Sequence, residues 1–208
     1  MQADEYVAVK ELLASVLEQI KVSDQPQSSD KQARVALYQT SPSYNPAQPL
    51  GGDTPVQKEF DYVSYTDSDD MKKHLLEDVH QLGGSGAFGP AVEWIIKKGL
   101  SAAPNPRKNK MVLAVVGGET SKWDRAKLDQ VSEMAKCQGV GVFTLTTGQR
   151  FNTQVEELAS SPLDQHIIHL GDAKQGQREY AQRFLQAFLG TLKSKQRLTP
   201  LSLTPSCN

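Results

Sequence analysis

Cysteine is scarce in this sequence: two residues among 208, Cys137 and Cys207. So small a set excludes a fold held by a disulfide framework. Read by themselves, the two are one half-buried thiol and one thiol on a loose tail, with pairing left open. Long hydrophobic runs are missing as well. The longest, such as Met111 to Val116, are of strand length and too short to cross a bilayer. The first residues carry two acids and pass straight into an amphipathic pattern. A secretory signal needs a positive start and an apolar core, so none is expected here. Nor does charge of one sign accumulate: 23 basic residues stand against 24 acidic ones, for a net charge of -1. A basic nucleic-acid footprint and an acidic solvating tail are both excluded. What remains is ordinary globular material, 38% hydrophobic and 23% charged, long enough to bury a substantial core.

The apolar spacing alternates between two periods. Val9, Leu13, Val16 and Ile20 recur at helical spacing, which predicts an amphipathic helix over roughly residues 4–21. Val35 and Leu37 read as a strand. The segment 41–55 holds four prolines and two glycines and is expected to be a loop. Val56 to Phe60 is a short strand. A helix carrying Met71, Leu75 and Val79 follows, with Thr66 or Ser68 as its cap. Pro90 suits the first turn of a further helix, AVEWIIKKGL. Then come a strand MVLAVV, a helix from about Asp124 to Cys137, a strand from Val142, a short strand at Ile167 and Ile168, and a helix carrying Tyr180, Phe184, Phe188 and Leu192. Strands alternating with helices call for a parallel sheet covered on both faces, so the expected fold class is α/β, doubly wound. One domain is expected over 1–192, followed by a polar tail over 193–208.

Gly84, Gly86 and Gly89 spell GxGxxG, the pattern of a dinucleotide loop. Such a loop needs a strand ahead of it and a helix behind, so that pyrophosphate meets the helix N-terminus. The segment ahead, MKKHLLEDVHQL, has helical periodicity. A nucleotide-binding α/β enzyme using these glycines is therefore only the alternative reading. Four histidines, His74, His80, His166 and His169, fail to group. His166 and His169 flank two isoleucines on an expected strand and point to opposite faces. Asp67, Asp69 and Asp70 stand at a helix start, where their charge suits the dipole. Glu156 and Glu157 have no acid–base partner. No catalytic residues, no cofactor and no nucleic-acid site emerge.

Several local strings are more specific: Ala33 to Gln39 (ARVALYQ), Leu82 to Ser85 (LGGS), Ala102 to Arg107 (AAPNPR) and Ala135 to Gly139 (AKCQG). On these strings and on the order of its elements, the chain resembles a von Willebrand factor A domain, closest to the C-terminal A domains of collagen VI α chains of the alpha-3 to alpha-6 type. The resemblance covers the chain to about residue 192. It implies an extracellular, non-enzymatic interaction module whose partners are proteins, collagen chains or other matrix components, without membrane insertion.

The same resemblance implies a divalent cation at the C-terminal edge of the sheet, the metal-ion-dependent adhesion site. Its ligands would be an Asp-x-Ser-x-Ser motif after the first strand, a threonine in the second loop and an aspartate after the fourth strand. Hard cations demand such oxygens. The first motif is absent, since Met1 stands almost at the opening helix. The threonine's place falls at Ser85 or Gly86. The usual Asp-Gly after the fourth strand is Gly117-Gly118, and Glu119 lies too far along the loop to substitute. The expectation is a degenerate site with no metal, leaving Ser85, Phe88, Gly118 and Glu119 as a possible interaction face. Phe88 is equally expected to tuck under its own helix.

The resemblance further implies that the first strand, central in this fold between the strands at 33–39 and 111–116, is missing. A fragment, a truncated non-functional gene product, direct pairing of the flanking strands, and an extended segment from elsewhere are the competing expectations. Related domains carry cysteines at comparable places, so the resemblance makes a Cys137–Cys207 disulfide plausible in an oxidising compartment.

Overall fold

A computed structural model describes residues 1–25, 32–48, 50–84, 86–104, 107, 109–118, 122–147, 153–171, 185–190 and 207. The fold is α/β and doubly wound. In chain order its elements are α1 (Ala3–Leu17), β1 (Lys21–Val22), β2 (Gln32–Ala33), β3 (Leu37–Thr40), β4 (Val56–Phe60), α2 (Ser68–Glu77), α3 (Phe88–Trp94), β5 (Lys110–Val116), α4 (Lys122–Cys137), β6 (Val140–Thr146), α5 (Thr153–Leu158), α6 (Leu163–His166) and β7 (Ile167–His169). Residues 185–190 are helical; the rest of the helix expected over 180–192, and the tail except Cys207, lie outside the described residues.

β5, β6 and β7 form a parallel sheet in that order, with Met111 opposite Gly141 and Thr144 opposite Ile167. All seven residues of β6 are buried, as a central parallel strand covered on both faces requires. The strand period of two sorts the side chains between two cores. Phe143, Leu145 and Ile168, with Met111, Leu113 and Val115, face α1, α2 and residues 185–190. Val112, Ala114, Val140 and Val142 face α3, α4 and α5, meeting Val92, Ile96, Leu128, Val131 and Leu158. Full burial of each such side chain stabilises by about 1.5–3 kcal/mol.

The helices start and stop for local reasons. At the start of α1, the Glu5 carboxylate accepts the Gln2 backbone N–H at 2.8 Å, one half of a capping box. The cap of α2 is Asp67, not Thr66 or Ser68: its carboxylate accepts the Asp69 and Asp70 amides at 2.9 and 3.0 Å. An ionised oxygen serves better there than a hydroxyl because it also meets the helix dipole. At the other end of α2, Lys10 from α1 donates to the carbonyls of Leu76 and Val79 at 2.8 and 3.0 Å. α3 widens into π-helical turns over Ile95–Leu100, where the Ser101 hydroxyl donates to the Ile96 carbonyl five residues back.

Two further readings of the sequence are corrected. The strand expected at 33–39 is broken: Gln32–Ala33 pairs in parallel with Lys21–Val22, and only Leu37–Thr40 continues, antiparallel to β4. His166 is not on a strand but closes α6. Its ring is buried against Phe143, centroids 4.3 Å apart, with Nδ1 2.9 Å from the Pro162 carbonyl. The Glu156–Glu157 pair lies on a short helix, α5.

Candidate functional site

In an open parallel sheet the binding edge lies beyond the carboxyl ends of the strands. Three segments meet there: the start of α1, the loop over 81–87 and the turn after β5. The Met1 carbonyl accepts from Gln81 Nε2 at 2.9 Å. Its side chain lies so close over Gly117 that a Cβ added to Gly117 would stand 2.8 Å from Met1 Cβ. Gly84 has φ +91°, and a Cβ there would stand 2.9 Å from Pro42 Cβ. A Cβ on Gly86 would overlap Oγ1 and Cβ of Thr40. These two glycines thus let the loop lie directly on the end of β3.

That geometry accounts for two members of the GxGxxG string without a phosphate. The third, Gly89, is buried inside α3, and the loop is entered from α2 rather than from a strand. Phe88 is half-buried and packs on the core beneath α3. Gly118 is exposed at the turn after β5. Ser85 and Glu119, the other members of the expected face, lie outside the described residues. His74 meets the Tyr65 hydroxyl, and His169 Nδ1 accepts the Gly171 amide at 3.1 Å. The histidines therefore serve separate local contacts. Cys137, the last residue of α4, is joined by a disulfide to Cys207, with their Cα atoms 5.3 Å apart.

Below this edge lies a cavity. β3 and β5 belong to separate sheets, and the cavity runs between them, with a volume of about 1180 Å³. Its side walls are β3 and β5. One face is closed by Val9, Leu13 and Val16 of α1, the other by Phe88, Val92 and Ile95. At its foot the two walls are tied together. Arg34 Nη1 donates to the Pro104 carbonyl and Arg107 Nη1 to the Gln32 carbonyl, each at 2.6 Å. At its head sit Met1, Thr40 and Gly117. The two strands start together and end together, so they run in the same direction.

Tyr6, Tyr38 and Tyr62 reach into the cavity wall, and burial pushes all three phenols above their usual value. The charges of Glu59 and Asp61 add to this at Tyr6 and Tyr38. At Tyr62, burial and the Tyr38 neighbour outweigh the opposing pull of Arg34. The phenols therefore stay neutral, and the charged side chains in the lining are Lys10, Arg34, Arg107 and Lys110.

A von Willebrand factor type A domain profile matches residues 1–184. The human collagen alpha-5(VI) chain is 36% identical over 194 residues, covering 92% of this chain. The human collagen alpha-6(VI) chain is 30% identical over 210 residues, covering 100% of it. This chain spans only 7% and 9% of those two proteins. Among solved structures, proximal thread matrix protein 1 from the mussel byssus, in a form with a zinc-occupied MIDAS motif, superposes with TM-score 0.66 at 15% identity. That match covers 90% of this chain and 44% of the mussel protein. The chain belongs to the von Willebrand factor type A domain family.

Proposed function

We propose that the chain is a non-enzymatic, extracellular-matrix-type protein-interaction module of collagen VI-like origin, whose metal-ion-dependent adhesion site is degenerate. It binds proteins, collagen chains or other matrix components, by shape and surface contacts. The observation that carries this reading is the turn after β5. Where a cation would need a carboxylate, the chain has Gly117 and Gly118, and the Met1 side chain lies over Gly117. Gly86 likewise brings no side-chain oxygen, and Thr40 fills the space that a side chain there would need. A divalent cation needs six or more oxygens to replace its hydration shell, and these positions supply no side-chain ligand. The donor set does not fit the ion.

Kinship with collagen VI chains supports a protein partner and an extracellular setting, and the Cys137–Cys207 disulfide suits an oxidising compartment. No helix among the described residues is long and apolar enough to cross a membrane. The test is binding of the chain to immobilised collagen VI, with millimolar magnesium or with chelator. Affinity unchanged between the two conditions is expected. Magnesium or manganese binding at micromolar concentration by calorimetry would overturn the degenerate site.

A further inference from the structure

The loop that joins β3 to β4 is built from three successive β-turns. The Tyr44 amide donates to the Ser41 carbonyl at 3.4 Å, the Gln48 amide to the Asn45 carbonyl at 3.2 Å and the Asp53 amide to the Leu50 carbonyl at 3.0 Å. Pro42 and Pro46 take the second place of the first two turns, where their fixed φ is already the one required. Gly52 takes the third place of the last turn with φ +100°, a conformation open to a residue without Cβ. The Asn45 side chain accepts the Ala47 amide at 3.0 Å and tightens the middle turn. Turns satisfy their backbone groups locally, so their corners stand in solvent. Residues 42–43, 45–48 and 50–54 are all exposed.

The loop carries three aliphatic hydroxyls, and the structure separates them. Ser41 is half-buried, and its amide donates to the Pro55 carbonyl at 2.9 Å, the last rung between the two strands. Thr54 Oγ1 donates to the Val56 carbonyl at 2.9 Å, which turns it back onto β4. Ser43 stands exposed at the third place of the first turn, its Oγ 3.2 Å from that of Ser41. Proline lies one residue before it and three residues after it. The two rings hold the backbone on either side and remove two amide donors, so the hydroxyl is presented with little backbone competition. Serine set among prolines on an exposed extracellular segment is the acceptor type of mucin-like O-glycosylation. We propose that Ser43 accepts an O-linked N-acetylgalactosamine from a nucleotide-activated donor. Ser43 Oγ bonds to the anomeric carbon, and the bond from that carbon to the nucleotide phosphate breaks. The electron pair stays on the phosphate oxygen, and the hydroxyl proton leaves with the nucleoside diphosphate. A Cβ on Gly84 would stand 2.9 Å from Pro42 Cβ, so a sugar on the next residue stands beside the loop over 81–87. The proposal rests on the extracellular reading above, because such transfer takes place along the secretory route.

The test incubates the purified full chain with an initiating N-acetylgalactosaminyltransferase and UDP-N-acetylgalactosamine. The product is read by intact mass and by fragmentation that keeps the sugar in place. Gain of one N-acetylhexosamine at Ser43 is expected. Ser43→Ala should lose it, Ser43→Thr should keep it, and Pro42→Ala with Pro46→Ala should slow the transfer several-fold. The same sugar is expected on Ser43 of the full chain secreted by human cells behind an added export signal. Sugar placed on Ser41 or Thr54 instead, or transfer untouched by Ser43→Ala, would overturn the proposal. So would a folded chain that stays unmodified while a free peptide of residues 38–50 is modified. A secreted chain with Ser43 bare, or carrying phosphate, would overturn it equally. The transfer in vitro supplies its own donor and enzyme, so it judges the site whatever the chain binds, while the collagen VI assay judges the interaction reading.

Discussion

The side chain of Thr40 occupies the space that any side chain on Gly86 would need. One residue at the end of β3 thereby fixes the identity of another in the loop between α2 and α3. Gly86→Thr would bring a hydroxyl to one of the two positions, Ser85 or Gly86, where the resemblance places the loop's threonine, yet it has nowhere to go. Overpacking of this kind costs about 1–3 kcal/mol. The expected result is a lower urea midpoint with an unchanged m-value, and no gain in magnesium affinity by calorimetry. Thr40→Ala combined with Gly86→Thr should recover part of the loss, because removing the Thr40 hydroxyl and methyl opens the space that the new side chain needs.

Lys10 joins two helices by a bond between unlike parts: an ammonium on α1 and the carbonyls of Leu76 and Val79 at the end of α2. Leu76 lies in the last turn of α2 and Val79 just past it, so the cation also meets the negative end of the dipole. Lys10→Met keeps the apolar stem and removes the donors. A loss of about 1 kcal/mol is expected, read as a drop in Tm of roughly 2–4 °C for a chain of this length. Lys10→Arg should retain most of the effect.

How much of this was legible in the sequence depends on how many residues each signal spans. The runs at 111–116 and 142–146 gave strands in place because a strand covered on both faces leaves a nearly continuous apolar string, whereas Val56–Phe60 keeps only its two ends buried. Short elements carry too few periods. Lys21–Val22 is two residues, and α5 is six with two glutamates, so neither stands out from a loop. His166 looked like a strand residue because the apolar run beside it is continuous, but the helical turn from Leu163 ends only at His166 itself. The expectation of a missing strand between 33–39 and 111–116 came from the family's order of elements and from nothing in the local pattern. The close approach of Thr40 to Gly86 joins residues 46 positions apart, and no single-sequence signal reports it.

Asp61 provides a pH-dependent term. Its carboxylate accepts the Val63 amide at 3.1 Å and bonds to Lys58 and Ser64 at 3.1 and 2.9 Å. The backbone bond first, then the Lys58 and Ser64 bonds, hold its pKa below the ordinary 3.8. A carboxyl group lowered on folding contributes stability that is fully present above its unfolded pKa and is lost as pH falls towards its folded value. Asp61→Asn should therefore carry a constant penalty from pH 7 to about pH 5. Below the ordinary carboxylate value of 3.8 the penalty should shrink. Exposure and screening keep the whole effect small. Paired denaturation curves at pH 7 and pH 3 test it, and a penalty that grows in acid would contradict the assignment.

The Cys137–Cys207 disulfide closes a loop with a sequence separation of 70. It ties the end of α4 to the last residues of the chain. Loop-closure entropy for that length gives an upper bound of about 4 kcal/mol, acting through the unfolded state. Native relaxation lowers what is realised. Reduction should therefore lower Tm by several degrees, and Cys207→Ser should match the reduced protein while no longer responding to reductant. Because Cys137 lies at the end of α4, which packs beneath β5 and β6, the lost constraint is expected to reach the sheet. Amide exchange should quicken at the end of α4 in the variant. If reductant and Cys207→Ser both leave Tm unchanged, the bond contributes nothing to folding and only anchors the tail.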